Sequence, residues 1–217
     1  MKKEDILQRI DHTLLKPFAV WEEIDRLCGE ALAYHTASVC IPPCYVKRVR
    51  EKYEKLCICT VIGFPLGYQN SEVKVYETER ALSDGADEID MVINITDAKN
   101  GAWDRVEDEI RQVKAACGDH VLKVIVETCY LTEEEKIAAC RAVTGAGADY
   151  IKTSTGFGTG GATPEDVRLF REHIGPGVRI KAAGGVRTRE DLECFLEAGC
   201  SRIGTSSAVG LLGDQAE

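Results

Sequence analysis

The segment YIKTSTGFGTGGATPEDVRLFREHIGPGVRIKAAGG, residues 150–185, reads as strand, glycine loop, helix and strand in that order. Residues 150–155 and 179–185 are short apolar runs ended by glycine, too brief for helices. Between them Thr163 followed by Pro164 is an N-cap and first-turn pair, and Val167, Phe170 and Ile174 recur on one helical face. A strand that returns to a second strand through a helix is the unit of a parallel sheet.

The same alternation runs outward in both directions. Further candidate strands are IDHTLL (10–15), ASVCI (37–41), CICTVIGF (57–64), EIDMVI (88–93), LKVIVET (122–128) and SRIGTS (201–206), which makes eight with the two above. Helical stripes separate them, such as Trp103, Val106, Ile110, Val113 and Cys117. Thr132 with Glu135 forms a capping box, and Thr188 precedes Glu190 and Asp191 in a first turn. No Pro/Ser linker or charge block interrupts the pattern, so residues 1–217 are expected to form one domain. Eight units in 217 residues sit near the lower size of a closed α/β (β/α)8 TIM barrel, about 200 residues. The alternative is an open doubly wound sheet of seven strands, reached if IDHTLL, which carries Asp11 and His12, is not a strand.

Lys and Arg total 27 against 36 Asp and Glu, a formal net charge of −9, and no basic patch appears in the sequence. A nucleic acid partner is therefore not expected. The opening MKKEDILQRIDHTLL has no apolar stretch of the secretory kind, and no run approaches the ~18 apolar residues of a membrane span. The expected location is the cytoplasm, with the ten cysteines as reduced thiols. No CxxC, HxxxH or HExxH spacing occurs, so neither metal nor cofactor is expected. Cys57 and Cys59 alternate along one strand and read as small packing residues, as do Cys28, Cys117, Cys140, Cys194 and Cys200 on or beside helices. The runs Glu133-Glu134-Glu135 and Arg187-Thr188-Arg189 read as solvated helix starts and turns.

Three strands carry a charge where a barrel interior should lie. Asp90 sits between Ile89 and Met91, Lys152 follows Ile151, and Lys181 follows Ile180. With a period of two, the apolar neighbours face the helices and the charges face the axis. Any one of them could be a lone strand-end residue, but lysine and aspartate are almost never fully buried unless paired. A free lysine titrates near 10.4, so holding one neutral at pH 7 costs about 4.6 kcal/mol. A second ammonium at ~6 Å supplies roughly 2.8 kcal/mol of that at an effective dielectric near 20, and desolvation supplies the rest. The triplet therefore suits amine catalysis with Asp90 as an acid or base relay.

Three loops combine glycine with hydroxyls: residues 153–161 after the sixth strand, Gly184-Gly185 after the seventh, and 204–207 after the eighth. Backbone N–H groups in such loops, and a helix N-terminus beginning at Ser206, are expected to hold a phosphate, as loops after strands seven and eight do in many barrels.

At these residues the chain resembles the 2-deoxyribose-5-phosphate aldolases, class I enzymes on a (β/α)8 fold. The resemblance runs from Ile10-Asp11-His12-Thr13-Leu14-Leu15, through residues 88–94 (EIDMVIN) and 151–156 (IKTSTG), to residues 181–187 (KAAGGVR). It implies reversible, metal-free cleavage of 2-deoxy-D-ribose 5-phosphate to glyceraldehyde 3-phosphate and acetaldehyde. It implies Lys152 as the Schiff-base nucleophile, Lys181 as its tuning and proton-transfer partner, and Asp90 as a proton donor or acceptor. Asp11, Thr13 and Cys40 are implied to line the pocket, and Gly156, Gly184, Gly185, Ser206 and Ser207 to hold the phosphate. The chain departs from some relatives in two places: Phe157 stands where they carry lysine, and the terminus reads Gly213-Asp214-Gln215-Ala216-Glu217 where they end in an aromatic tail. Two other readings remain open, another Schiff-base phosphosugar enzyme and a non-catalytic phosphosugar-binding barrel. The expected partners are a sugar phosphate, small aldehydes and a second copy of the chain in a homodimer.

Overall fold

The computed structural model describes residues 1–212, so the departure at the C-terminal tail lies outside the described residues. The strands are β1 (Ile10–Thr13), β2 (Ser38–Ile41), β3 (Ile58–Ile62), β4 (Glu88–Val92), β5 (Val121–Ile125), β6 (Tyr150–Lys152), β7 (Arg179–Ala183) and β8 (Arg202–Thr205). They pair in parallel in chain order, and β8 returns to β1 with Ile10 beside Ile203 and Asp11 beside Gly204. The sheet is a closed barrel, as the alternation predicts. Its doubtful first strand is present because Asp11 finds cations inside the barrel and His12 is bonded to Glu30 of the next helix at 2.8 Å.

The helices are α1 (Lys3–Leu7), α2 (Trp21–Ala33), α3 (Val46–Lys52), α4 (Ser71–Ser83), α5 (Ile95–Lys99), α6 (Trp103–Cys117), α7 (Glu133–Gly145), α8 (Pro164–His173), α9 (Arg189–Ala198) and α10 (Ala208–Leu212). Their starts follow the sequence signals. Thr132 and Glu135 form the capping box of α7, Thr163 accepts from the Asp166 N–H at 3.1 Å, and Thr188 caps α9 with Asp191. The α6 stripe buries Val106, Ile110, Val113 and Cys117, and α8 buries Val167 and Phe170. No helix among the described residues is long and apolar enough to cross a membrane.

The strands sort into two faces. Val39, Ile41, Ile58, Ile89, Met91, Val124, Ile151, Ile180 and Ile203 belong to the main core cluster with the apolar helix faces. Their in-between neighbours, among them Asp11, Ser38, Cys59, Asp90, Lys123 and Lys181, are equally buried but polar. The hydrophobic core is thus the shell between sheet and helices, and the barrel interior is an ionic layer where branched aliphatics are the norm.

The strands end earlier than the sequence runs: β1 stops at Thr13 rather than Leu15, and β6 at Lys152 rather than Thr155. The residues beyond leave the ladder to form the loops of the C-terminal face. Cys57 precedes β3 instead of lying in it, and Cys194 is exposed on α9, so neither packs as predicted. The last helix begins at Ala208, not Ser206.

Candidate active site

The interior is built by alternation. Because every second residue of a strand points inward, Asp11, Asp90, Lys123, Lys152, Lys181 and Arg202 from six strands meet within one layer. Lys152 Nζ donates to Asp90 Oδ2 at 2.6 Å, and Lys181 Nζ donates to the same oxygen at 2.8 Å. The nitrogens of neighbouring strands therefore converge on one carboxylate oxygen, within the ~6 Å over which a like charge bears on a titration.

Beneath them lies a deeper set. Lys123 Nζ reaches Asp90 Oδ1 at 2.8 Å and Glu88 at 2.7 Å, with Asp11 at 3.8 Å. Lys181 also pairs with Asp11, and Arg202 pairs with Asp11 and with Glu88 at 2.8 Å. Burial opposes the charged forms of Asp11, Asp90, Lys123, Lys181 and Arg202, but the pairing overrides it. Three lysines hold the Asp90 carboxyl well below the usual range, and Lys181, Lys123 and Arg202 do the same for Asp11. Conversely, burial works against the Lys181 ammonium, yet Asp11 and Asp90 raise its pKa well above that of a free lysine. Lys123 is likewise raised, chiefly by Asp90 among its partners.

The network holds four cations, Lys123, Lys152, Lys181 and Arg202, against the carboxylates of Asp11, Glu88 and Asp90. Fully ionised, it carries one unmatched positive charge. Lys152 has a single carboxylate contact, whereas Lys181 and Arg202 have two each and Lys123 three.

Above the layer opens a cavity of about 510 Å³, lined by Thr13, Lys152, Thr155, Gly156, Phe157, Gly184, Gly185, Arg187, Gly204, Ser206, Ser207 and neighbours. Gly184 and Gly185 adopt φ of 85° and 79°, a left-handed backbone that glycine takes without strain. Gly204 leaves room for Lys181: a methyl there would stand 3.2 Å from the lysine Cε. Ser207 is bound within its own turn, its N–H on Thr205 Oγ1 at 3.1 Å and its hydroxyl on the Val186 carbonyl at 3.1 Å, whereas Ser206 is exposed.

The structure places the expected residues in two levels. Lys152, Thr13 and the five glycine and serine positions lie on the cavity wall. Asp90 and Lys181 lie directly below Lys152. Asp11 and Cys40, expected in the pocket, do not line it: both are fully buried, Asp11 as a counter-ion of Lys181 and Cys40 beside Cys59. Cys59 is not a packing residue either, since its thiol meets Asp90 Oδ1 at 3.1 Å and accepts from Lys123 at 3.2 Å. Cys40, Cys59 and Asp90 bring ligand-type atoms within 4.8 Å of one another, but Asp90 is in contact with three ammonium groups that would repel a cation.

Sequence reasoning missed Lys123, Glu88 and Arg202, although Leu122-Lys123-Val124 has the pattern that singled out the other lysines. It also treated Arg187 as a solvated turn residue, and Arg187 lines the cavity together with Lys16. Phe157 edges the ring of Phe64 at 5.3 Å, forming a wall between this cavity and an adjoining apolar cleft of about 410 Å³.

The site is held from outside by a second buried pair. Lys74 of α4 and Glu109 of α6 meet at 2.7 Å; Lys74 donates to the carbonyls of Gly67 and Val92, and Glu109 accepts from the Asn94 N–H at 2.9 Å. These contacts fix the end of β4, the strand that carries Asp90.

Comparison with known proteins gives a consistent picture. The profile of the DeoC/LacD family aldolases matches residues 6–212. A deoxyribose-phosphate aldolase of Clostridium botulinum (strain Alaska E43 / Type E3) is 64% identical over 213 residues, covering 98% of this chain and 96% of the relative. One from Streptococcus pyogenes serotype M4 is 57% identical over 217 residues, covering 100% and 97%. Among solved structures, the deoxyribose phosphate aldolase of Aeropyrum pernix, described as a unique tetramer, superposes with a TM-score of 0.90 at 36% identity, covering 97% of this chain and 91% of that one.

Proposed function

Since the chain belongs to the DeoC/LacD family of aldolases, we propose that Lys152 is the amine that forms the Schiff base, with Lys181 and Asp90 as its partners. The activity is reversible cleavage of 2-deoxy-D-ribose 5-phosphate to D-glyceraldehyde 3-phosphate and acetaldehyde through a lysine Schiff base, the work of a class I, metal-independent aldolase.

One observation carries the choice of lysine. Of the three lysines on Asp90, Lys152 alone also lines the cavity, so it alone meets both the ion network and a substrate. An amine attacks a carbonyl only as the free base, and Lys152 is the cation of the network with the fewest carboxylate contacts.

In the synthetic direction the Lys152 amine adds to acetaldehyde and water leaves, giving an iminium. The iminium withdraws electrons from the methyl carbon, which loses a proton and becomes an enamine. The enamine carbon attacks the aldehyde carbon of glyceraldehyde 3-phosphate, the resulting alkoxide takes up a proton, and water hydrolyses the iminium to free the sugar phosphate. Lys181 serves as the fixed cation beside the amine. Asp90, kept ionised by its lysines, serves the proton relay as the carboxylate that anchors and orients the Lys152 and Lys181 amines.

Gly156, Gly184, Gly185 and Ser206 offer the phosphate backbone N–H and hydroxyl groups, Ser207 braces their turn through its bonds to Thr205 and Val186, and Arg187 with Lys16 adds charge. Thr13 is a pocket residue for the substrate hydroxyls; Asp11 acts through Lys181. We further propose a homodimer, supported by the exposed Val73 and Tyr76 one turn apart on α4, and a cytoplasmic setting, suited to ten unpaired thiols. Light scattering tests the first and cell fractionation the second.

Borohydride reduction in the presence of acetaldehyde tests the chemistry. Mass spectrometry is expected to find a two-carbon adduct on Lys152; an adduct on a different lysine overturns the assignment.

A further inference from the structure

Glu127 is a carboxylate that the reaction scheme above leaves unused. It sits in the loop after β5 with 1% of its surface exposed, and its backbone is left-handed at φ 54°. For a residue other than glycine this conformation is strained and persists only where surrounding contacts over-determine it. Those contacts lead to the loop after β6. The Thr155 N–H points at both carboxylate oxygens, at 3.2 and 3.3 Å, and the Thr155 hydroxyl donates to Oε2. That hydroxyl in turn accepts the Phe157 N–H at 3.0 Å. The turn that begins three residues after Lys152 is therefore wound onto one carboxyl group. Gly158 continues over it, so closely that a methyl there would come within 3.1 Å of Glu127 Cδ and 2.8 Å of Cys129 Sγ. The far end of the loop is held separately, by the Ala162 N–H on the Gly184 carbonyl at 3.1 Å.

We propose that Glu127 is a positioning residue that shapes the β6 loop, setting the phosphate cradle at Gly156 and the aromatic wall at Phe157. It touches no substrate atom in this scheme and acts only through Thr155 and the turn behind it. Both donors of Thr155 need acceptors, and a carboxylate supplies two oxygens where a carboxamide supplies one. Burial raises the Glu127 pKa, while the Thr155 bonds and nearby Lys152 oppose that rise, so the loop contacts help keep the group charged. The inference rests on the reading that this loop meets the substrate phosphate.

The test compares 2-deoxyribose 5-phosphate with 2-deoxyribose in wild type and Glu127→Gln, alongside borohydride trapping with acetaldehyde. The variant is expected to raise KM for the phosphorylated sugar about tenfold or more, the scale of a lost charged hydrogen bond, while kcat/KM for the free sugar and the trapping rate stay within about threefold. Equal losses on both sugars, or an unchanged KM for the phosphorylated one, overturn the proposal. Gly158→Ala provides a route that leaves Glu127 intact: the added methyl pries the loop from the carboxyl and is expected to give the same split. An equal loss on both sugars in that variant also overturns it. The wild type tests the underlying reading by itself. If it is trapped on Lys152 yet handles both sugars equally well, the phosphate site falls and Glu127 with it; if it prefers the phosphorylated sugar and only the variants fail to show the split, Glu127 falls alone.

Discussion

Lys123 stands opposite Asp90 in the strand register and donates to its Oδ1 at 2.8 Å, which leaves Oδ2 for Lys181 and Lys152. The carboxylate is thus divided between a structural side, facing the closed bottom of the barrel, and a working side, facing the cavity.

Removing the structural side is expected to be costly. Lys123→Met removes the one ammonium that meets all three carboxylates and leaves Asp90 Oδ1 with only the Cys59 thiol inside a dry layer, and loss of one partner of a buried ion pair typically costs about 3–5 kcal/mol. Urea unfolding of the variant checks this; a change below about 1 kcal/mol would mean that water or a counter-ion replaces the lysine.

Lys181→Leu addresses the charge balance. Without it the remaining cations, Lys123, Lys152 and Arg202, match the three carboxylates, so an uncharged Lys152 no longer relieves a surplus. The pH at which acetaldehyde trapping is half-maximal is expected to move upward by about one unit or more. A superimposable pH profile would refute the tuning role. Lys152→Leu, by contrast, should abolish both trapping and turnover.

The pH dependence of stability follows from the same groups. Asp11 and Asp90 have depressed pKa values in the fold, so their contribution is intact above the unfolded carboxyl value of about 4 and is lost as pH falls below it toward their folded values. Lys123 and Lys181 are raised, so theirs is intact below about 10.4 and is lost as pH climbs past it. Glu109 and Glu127 are raised by burial and add an opposing, shallower slope just above pH ~4.3. Melting temperatures are expected to form a plateau between the two limits and to fall on both sides; a fall already complete at pH 6 would contradict the pairing.

Phe157→Lys places a cation on the cavity wall within the glycine loop that follows β6. The residue is half exposed, so the added charge is screened, and a roughly three- to tenfold lower KM for the phosphorylated sugar is expected at low salt. That gain should shrink as salt is added, and a gain indifferent to salt would point to packing against Phe64 instead.

Chelation should leave turnover unchanged. Electron withdrawal is supplied by the iminium, and the Cys40, Cys59 and Asp90 cluster is ringed by ammonium groups. Activity lost to EDTA and restored by zinc would require a different mechanism.

Much of this was legible before any coordinates. Alternation of Val/Ile-rich runs with capped amphipathic segments gave the barrel, because strand and helix periodicities are local properties of the chain. Thr132, Thr163 and Thr188 start helices where the sequence puts them, since a cap needs only residues three or four positions away. Asp90, Lys152 and Lys181 stood out as charges among isoleucines. Lys123 carried the same signal and was passed over.

What the sequence determined by itself was the fold and the kind of chemistry, because spacing along one chain fixes which face each side chain takes. Closure of the sheet decided the rest. Only when β8 meets β1 does Asp11 come beneath Lys181 instead of into the pocket, and only then do Glu88 and Arg202, 114 positions apart, share a contact. Which lysine faces the substrate, and how four cations divide three carboxylates, depends on distances across the barrel that no local pattern encodes.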